Sequence, residues 1–182
     1  MQSRLVCSLA FLVLLCLSTI NLVAQNKYVG VKACRPCHAT EKQGKQFDVW
    51  QKSKHAEAYK ALTTAKADEF AKARGLSKPA AESPECLQCH IVTGDAKLID
   101  KALEVKDGVQ CEMCHGAGSA YKNLTVMKDK PKAIAAGMRE FKDPAATEKF
   151  CRTCHNEKSP SYKEFKFKEY WEKIKHPVPK VG

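Results

Sequence analysis

The longest apolar run in the chain lies at its start. Leu5 to Ile20 is broken only by Ser8, Ser18 and Thr19, follows a single Arg4 and leads through Asn21 into Leu22-Val23-Ala24 and Gln25. One positive charge, an apolar stretch and a small residue at the break are the layout of a secretory signal, so residues 1–24 are read as a signal peptide. An uncleaved anchor is the alternative, because the run is almost long enough to span a bilayer. Cys16 sits inside the run behind bulky Leu15, which argues against a lipoprotein cysteine.

Beyond residue 25 the apolar positions come in short helical periods. From Glu41 to about Arg74 the chain is rich in Ala, Lys, Glu and Gln and has no proline, which predicts helix. His55, Tyr59 and Leu62 fall at i, i+4 and i+7 on one face of it. Gly75-Leu76-Ser77-Lys78-Pro79 ends it. A short helix is predicted over Pro131 to Arg139, and another from Asp143-Pro144, a capping side chain followed by proline at the first helical position. Tyr162 to His176 is amphipathic, with Phe167, Tyr170, Trp171 and Ile174 on one face and Pro177 as the stop. Gly94, Gly108, Gly116 and Gly118 mark turns. No alternating pattern reaches strand length, so the fold class is mostly α: short helices and loops in one domain, residues 25–182.

The segments between these helices change the picture. Four of them read Cys34-Arg35-Pro36-Cys37-His38, Cys86-Leu87-Gln88-Cys89-His90, Cys111-Glu112-Met113-Cys114-His115 and Cys151-Arg152-Thr153-Cys154-His155. Cys-x-x-Cys-His is the attachment signature of c-type haem. Two thiols three positions apart add to the two vinyl groups on one porphyrin edge, and the next residue offers its imidazole to the iron. Cys-x-x-Cys pairs also build zinc sites and dithiol redox centres. Neither explains a histidine after every pair when the whole chain has six. Four covalent haem c groups are therefore the expected cofactors. They would supply much of the buried apolar surface of a compact multihaem cytochrome fold. Only 25 residues separate Cys86 from Cys111, which predicts that the second and third haems are neighbours.

Cysteine use fixes the compartment. Of ten cysteines, Cys7 and Cys16 fall in the signal, and the motifs consume the other eight. Haem c is attached outside the cytoplasmic membrane, so a periplasmic or otherwise exported location is expected. The formal charge of the full chain is +11; without Arg4 it is 30 basic against 20 acidic residues, or +10. Haem propionates would lower this to about +6. Export and haem motifs argue against nucleic acid as a partner. Scattered lysines read as a solvated basic surface that also steers toward acidic docking surfaces on redox partner proteins.

Six histidines must serve four irons. His38, His90, His115 and His155 are the proximal ligands. His55 and His176 are spare and lie on predicted amphipathic helices beside aromatic residues, which makes them candidate distal ligands. Two irons then lack a histidine, and Met127 and Met138 are candidates to serve them. Met113 lies within a haem loop on the proximal side of its own haem.

With these pieces in view, the chain resembles the tetrahaem cytochrome c family typified by the electron acceptor of hydroxylamine oxidoreductase in ammonia-oxidising bacteria. The resemblance rests on Trp50-x-x-Ser53-x-His55-Ala56, Cys111-x-x-Cys114-His115-Gly116-x-Gly118, and Phe165-x-Phe167 running to His176. It implies a mostly helical fold with stacked haem pairs. It also implies that His55 serves the fourth haem, that His176 serves the third, and that the second has no protein distal ligand. In the family the first haem takes a histidine from the loop after the third motif. Here residues 116–142 contain no histidine, and Met127 stands near that position.

The expected function is an exported carrier of single electrons between redox partners. An enzyme that reduces nitric oxide or a related small molecule at an open second haem, beside His90, is the alternative. A protomer of an extracellular haem filament is a third reading, disfavoured because lending ligands between subunits would worsen the histidine shortage.

Overall fold

The computed structural model describes residues 25–178; the expected signal, residues 1–24, lies outside the described residues. Among the described residues the regular structure is ten short α-helices joined by turns and single 3₁₀ turns. They are α1 (Arg35–His38), α2 (Gln46–Gln51), α3 (Ala58–Leu62), α4 (Ala65–Ala73), α5 (Pro84–His90), α6 (Cys111–His115), α7 (Leu124–Met127), α8 (Lys130–Ala135), α9 (Pro144–Cys151) and α10 (Phe167–Ile174). The one β contact among them is an isolated parallel bridge between Tyr28 and Ile99. The mostly α class therefore holds, and none of these helices is long and apolar enough to cross a membrane.

The predicted helix from Glu41 to Arg74 is instead three helices. Lys45 adopts a left-handed conformation (φ 51°) ahead of α2. After α2 the chain leaves the helical ladder. The Ser53 hydroxyl donates to the Trp50 carbonyl at 2.6 Å, and the His55 carbonyl accepts the Val109 N–H at 2.9 Å. The same carbonyl also accepts the Ala58 N–H at 3.2 Å, in the turn that leads into α3. Thr64 then caps α4, accepting from the Ala67 N–H at 3.2 Å. The apolar face survives the breaks: Leu62 is buried and Tyr59 and His55 are half-buried.

Other boundaries moved less. The helix expected over Pro131 to Arg139 stops at Ala135, where Gly137 turns left-handed (φ 101°). Asp143 starts α9 as expected, its carboxylate accepting the Ala146 N–H at 2.7 Å. Only Phe167–Ile174 of the expected Tyr162 to His176 segment is helical.

The polypeptide core is thin. Among the described residues its aliphatic cluster joins Leu62, Ala71 and Ala80 with partly buried Leu76 and Leu87, where α3, α4 and α5 meet. The largest fully buried side chains are polar: Gln110, Glu112 and Ser83. Burying polar groups without partners is costly, and each has them. Glu112 accepts the backbone N–H groups of Val29 (2.9 and 3.0 Å), Gly30 (2.7 Å) and Gly118 (2.6 Å). Gln110 accepts from the Val31 N–H at 2.7 Å and donates to the Glu104 carbonyl at 2.9 Å. At Gly118 a side chain could not be added, since its Cβ would lie 2.8 Å from the Glu112 carboxylate.

Candidate haem-binding site

Each Cys-x-x-Cys-His segment is presented by a helical turn. In α5 and α6 the two cysteines stand at i and i+3, on one side of the helix, and in the first motif Cys34 is the cap of α1 and Cys37 lies within it. In the fourth, α9 delivers Cys151 and a tight turn carries Cys154 and His155. None of the eight motif cysteines is paired in a disulfide. No three histidine, cysteine or acidic side chains among the described residues converge as a metal-ion site.

The motifs meet in two pairs. The sulfurs of Cys34 and Cys111 lie against one another, and so do those of Cys89 and Cys154. The first motif thus faces the third and the second faces the fourth. The second and third motifs are joined by the short spacer of residues 91–110. That spacer loops away through the Tyr28–Ile99 bridge, while Glu112 and Gln110 draw residues 29–31, just ahead of the first motif, onto the third.

The histidines follow the same division. The rings of His55 and His155 lie 6.0 Å apart between centroids, and those of His115 and His176 lie 5.8 Å apart. A metal–imidazole bond is about 2 Å long, so two rings that ligate one metal from opposite sides have centroids about 6 Å apart. Both separations fit an iron held between two imidazoles. These two pairs use both spare histidines, which leaves His38 and His90 without a histidine partner. Partial burial, aided by the neighbouring ring, pushes His55 and His115 down to about 4. At neutral pH they are neutral imidazoles, the form that ligates metal.

Second contacts fix how these rings stand. The Trp50 indole donates to the Val109 carbonyl at 2.8 Å, and the Val109 N–H donates to the His55 carbonyl at 2.9 Å. Gly108 permits this approach, since a Cβ there would lie 2.5 Å from the His55 carbonyl oxygen. The Trp50, Ser53 and His55 pattern is therefore a clip that fastens His55 to the strap before the third motif. His155 is stacked on Phe165 at 4.6 Å, and Phe165 on Tyr170 at 5.4 Å. His90 Nδ1 lies 2.7 Å from the Ala58 carbonyl, which can only accept, so Nδ1 carries the proton and Nε2 is free for iron. Arg139 donates to the Met113 and Cys114 carbonyls (2.8 and 2.9 Å) and lies over the Phe150 ring at 4.5 Å, joining the third motif to the fourth. Met127 ends α7, half-buried, and Met138 is half-buried beyond α8.

Sequence reasoning missed Glu112, Gln110, Gln46 and Arg139. Glu112 occupies a variable position of its motif, and the other three belong to no motif, so no spacing signal marks them.

Residues 33–116, which hold the first three motifs, match the family of cytochrome c554 and c-prime. The chain is 29% identical over 108 residues to cytochrome c-554 of Nitrosomonas europaea. That alignment covers 56% of this chain and 43% of the relative, so the chain spans less than half the length of the protein it matches. No solved structure matches. These similarities support a carrier and give no support to a reductase.

Proposed function

We propose that this chain, a c-type cytochrome related over residues 33–116 to the cytochrome c554 and c-prime family, is an exported tetrahaem carrier of single electrons between redox partner proteins. When bound, each haem c supplies a one-electron ferric/ferrous centre. Cys34 and Cys37, Cys86 and Cys89, Cys111 and Cys114, and Cys151 and Cys154 form the thioether links. His38, His90, His115 and His155 hold the irons from the proximal side. His55 and His176 are the distal ligands opposite His155 and His115. The observation that carries this reading is the pair of facing imidazoles at 6.0 and 5.8 Å.

The two facing sulfur pairs, Cys34 with Cys111 and Cys89 with Cys154, support close packing of neighbouring groups, as short electron hops require. Tyr170, 41% exposed on α10 and stacked through Phe165 on His155, and Trp171, 38% exposed, offer apolar surface to the macrocycles. Met127 is the proposed distal ligand opposite His38. Residues 1–24 are the proposed export signal, and residues 25–182 the haem-binding unit. The excess of 31 basic over 20 acidic residues favours partners with acidic docking surfaces.

A pyridine haemochrome assay should return about four haems per chain, with none released by acid–acetone; two or fewer would end this reading. His55→Ala and His176→Ala should each convert one low-spin iron to high spin in electron paramagnetic resonance, at unchanged haem content. Unchanged spectra in both would make them packing residues. Met127→Ala should abolish the methionine–iron charge-transfer band of the ferric spectrum. Met127→His should restore a low-spin iron at lower potential, because a thioether favours ferrous iron more than imidazole does.

A further inference from the structure

The His38 ring has a partner that its motif does not announce. Its Nδ1 lies 3.3 Å from Oε1 of Gln46, a side chain only 8% exposed. The Gln46 amide nitrogen donates to the Gln43 carbonyl and, at 2.9 Å, to the carbonyl of Pro177. Both of those groups can only accept, so they fix which end of the amide faces them and turn its oxygen toward the ring. An acceptor opposite Nδ1 requires Nδ1 to carry the proton and leaves the Nε2 lone pair for metal.

The backbone around Gln46 is shaped for this contact. Lys45 is the one non-glycine residue with positive φ among the described residues, a conformation that costs about 1 kcal/mol or more. It turns the start of α2 so that Gln46 points inward. Gly44 (φ 92°) admits the tail, for a Cβ there would stand 2.9 Å from the Pro177 Cβ. The Pro177 carbonyl that receives Gln46 also lies 3.4 Å from Nδ1 of His176. One carbonyl thus stands between the Gln46 amide and the His176 ring.

We propose that Gln46 is the positioning residue of the His38 haem site, and that its amide ties the His38 imidazole to the tail that carries His176. The proximal ligand of the first haem and the distal ligand of the third are set by one side chain 131 residues from its tail partner. This rests on the reading that His38 and His176 hold irons.

The test uses holoprotein carrying Gln46→Leu or Gln46→Glu, with haem content, potentiometric titration and electron paramagnetic resonance measured on each. Gln46→Glu keeps an acceptor opposite Nδ1 and makes it anionic, which gives the imidazole more imidazolate character. One haem midpoint should shift down while the others stay. Gln46→Leu removes the acceptor and the tie to the tail. One midpoint should shift up, the corresponding low-spin signal should broaden, and hydrogen exchange over residues 174–178 should quicken. Where Gln46→Leu does not accumulate, Gln46→Glu decides alone. Full haem content with titrations and spectra superimposable on wild type overturns the proposal by itself. A wild-type protein lacking the haem at the first motif overturns the haem assignment, and this proposal with it.

Discussion

The two motif pairs are held by different physics. Around the first and third motifs, hydrogen bonds from buried polar side chains do the holding. Glu112 gathers three backbone N–H groups, Gln110 holds Val31, and Gln46 holds His38 to the tail. Around the second and fourth, apolar contact does it: the Leu62, Ala71 and Ala80 cluster behind α5, and the His155, Phe165 and Tyr170 stack. The difference follows from what must be joined. Residues 29–31 lead into the 3₁₀ turn Val31–Ala33, with no preceding helix turn to satisfy their N–H groups, so a carboxylate and an amide must. The second motif lies at the end of a helix already backed by two others, and small apolar residues suffice to close that contact.

The sharpest way to break the contrast is at Glu112. Glu112→Leu strands three buried donors, each worth about 1–3 kcal/mol. The expected loss is about 3 kcal/mol or more, read as the denaturant midpoint of the holoprotein. Glu112→Gln retains an acceptor oxygen and should lose less. If the two variants unfold alike, the carboxylate is not the clamp described here. In the other half the comparable change is Leu62→Ala. A buried leucine replaced by alanine costs about 2–5 kcal/mol, and the alanine-rich surroundings allow partial collapse, so about 2 kcal/mol is expected. Because the two sites share no partner, the double variant should lose the sum of the two effects. A marked departure from additivity would show that the halves are one cooperative structure and not two differently built ones.

The same contrast explains what was legible in the sequence. Covalent attachment demands fixed local spacing, so all four Cys-x-x-Cys-His segments could be read directly. His55 and His176 stood out as candidate ligands because histidine is scarce and both fall in stretches predicted to be amphipathic helix, although each lies just outside a helix. Polar clamps leave no such trace. Glu112 is one of two unconstrained residues in its motif, and Gln46 stands eight positions after His38 in a stretch that composition assigns to helix. The pairing of first with third and second with fourth depends on those clamps and on the Gly108 approach to His55, neither of which has a spacing signal. The continuous helix over residues 41–74 failed for a related reason: the His55 carbonyl is engaged by Val109, a partner more than fifty residues away.

The smallest expected effect concerns the solvent-facing edge of the polar half. Glu104 pairs with Lys32, ahead of the first motif, and with Lys106 at 2.7 Å. Its hydrogen bonds to Lys106 and Lys32 bring the carboxyl down from an ordinary value of 4.5 to about 2. A carboxyl whose folded value is depressed contributes stability that is complete above its unfolded value and is lost as pH falls toward the folded one. The Lys32 tether should therefore add to stability above about pH 4.5 and fade between there and about pH 2. Glu104→Gln removes the charge at every pH. Its thermal midpoint should lie slightly below that of wild type at pH 7, and the two should converge as the pH is lowered through that window. Being exposed, the pairs are screened by salt, so 1 M sodium chloride at pH 7 should also close the gap. The Gln110 bond to the Glu104 backbone carbonyl is untouched by either treatment, so the buried clamp beneath should hold. A gap that persists at pH 2, or widens with salt, would mean that Glu104 acts through packing and not through its charge.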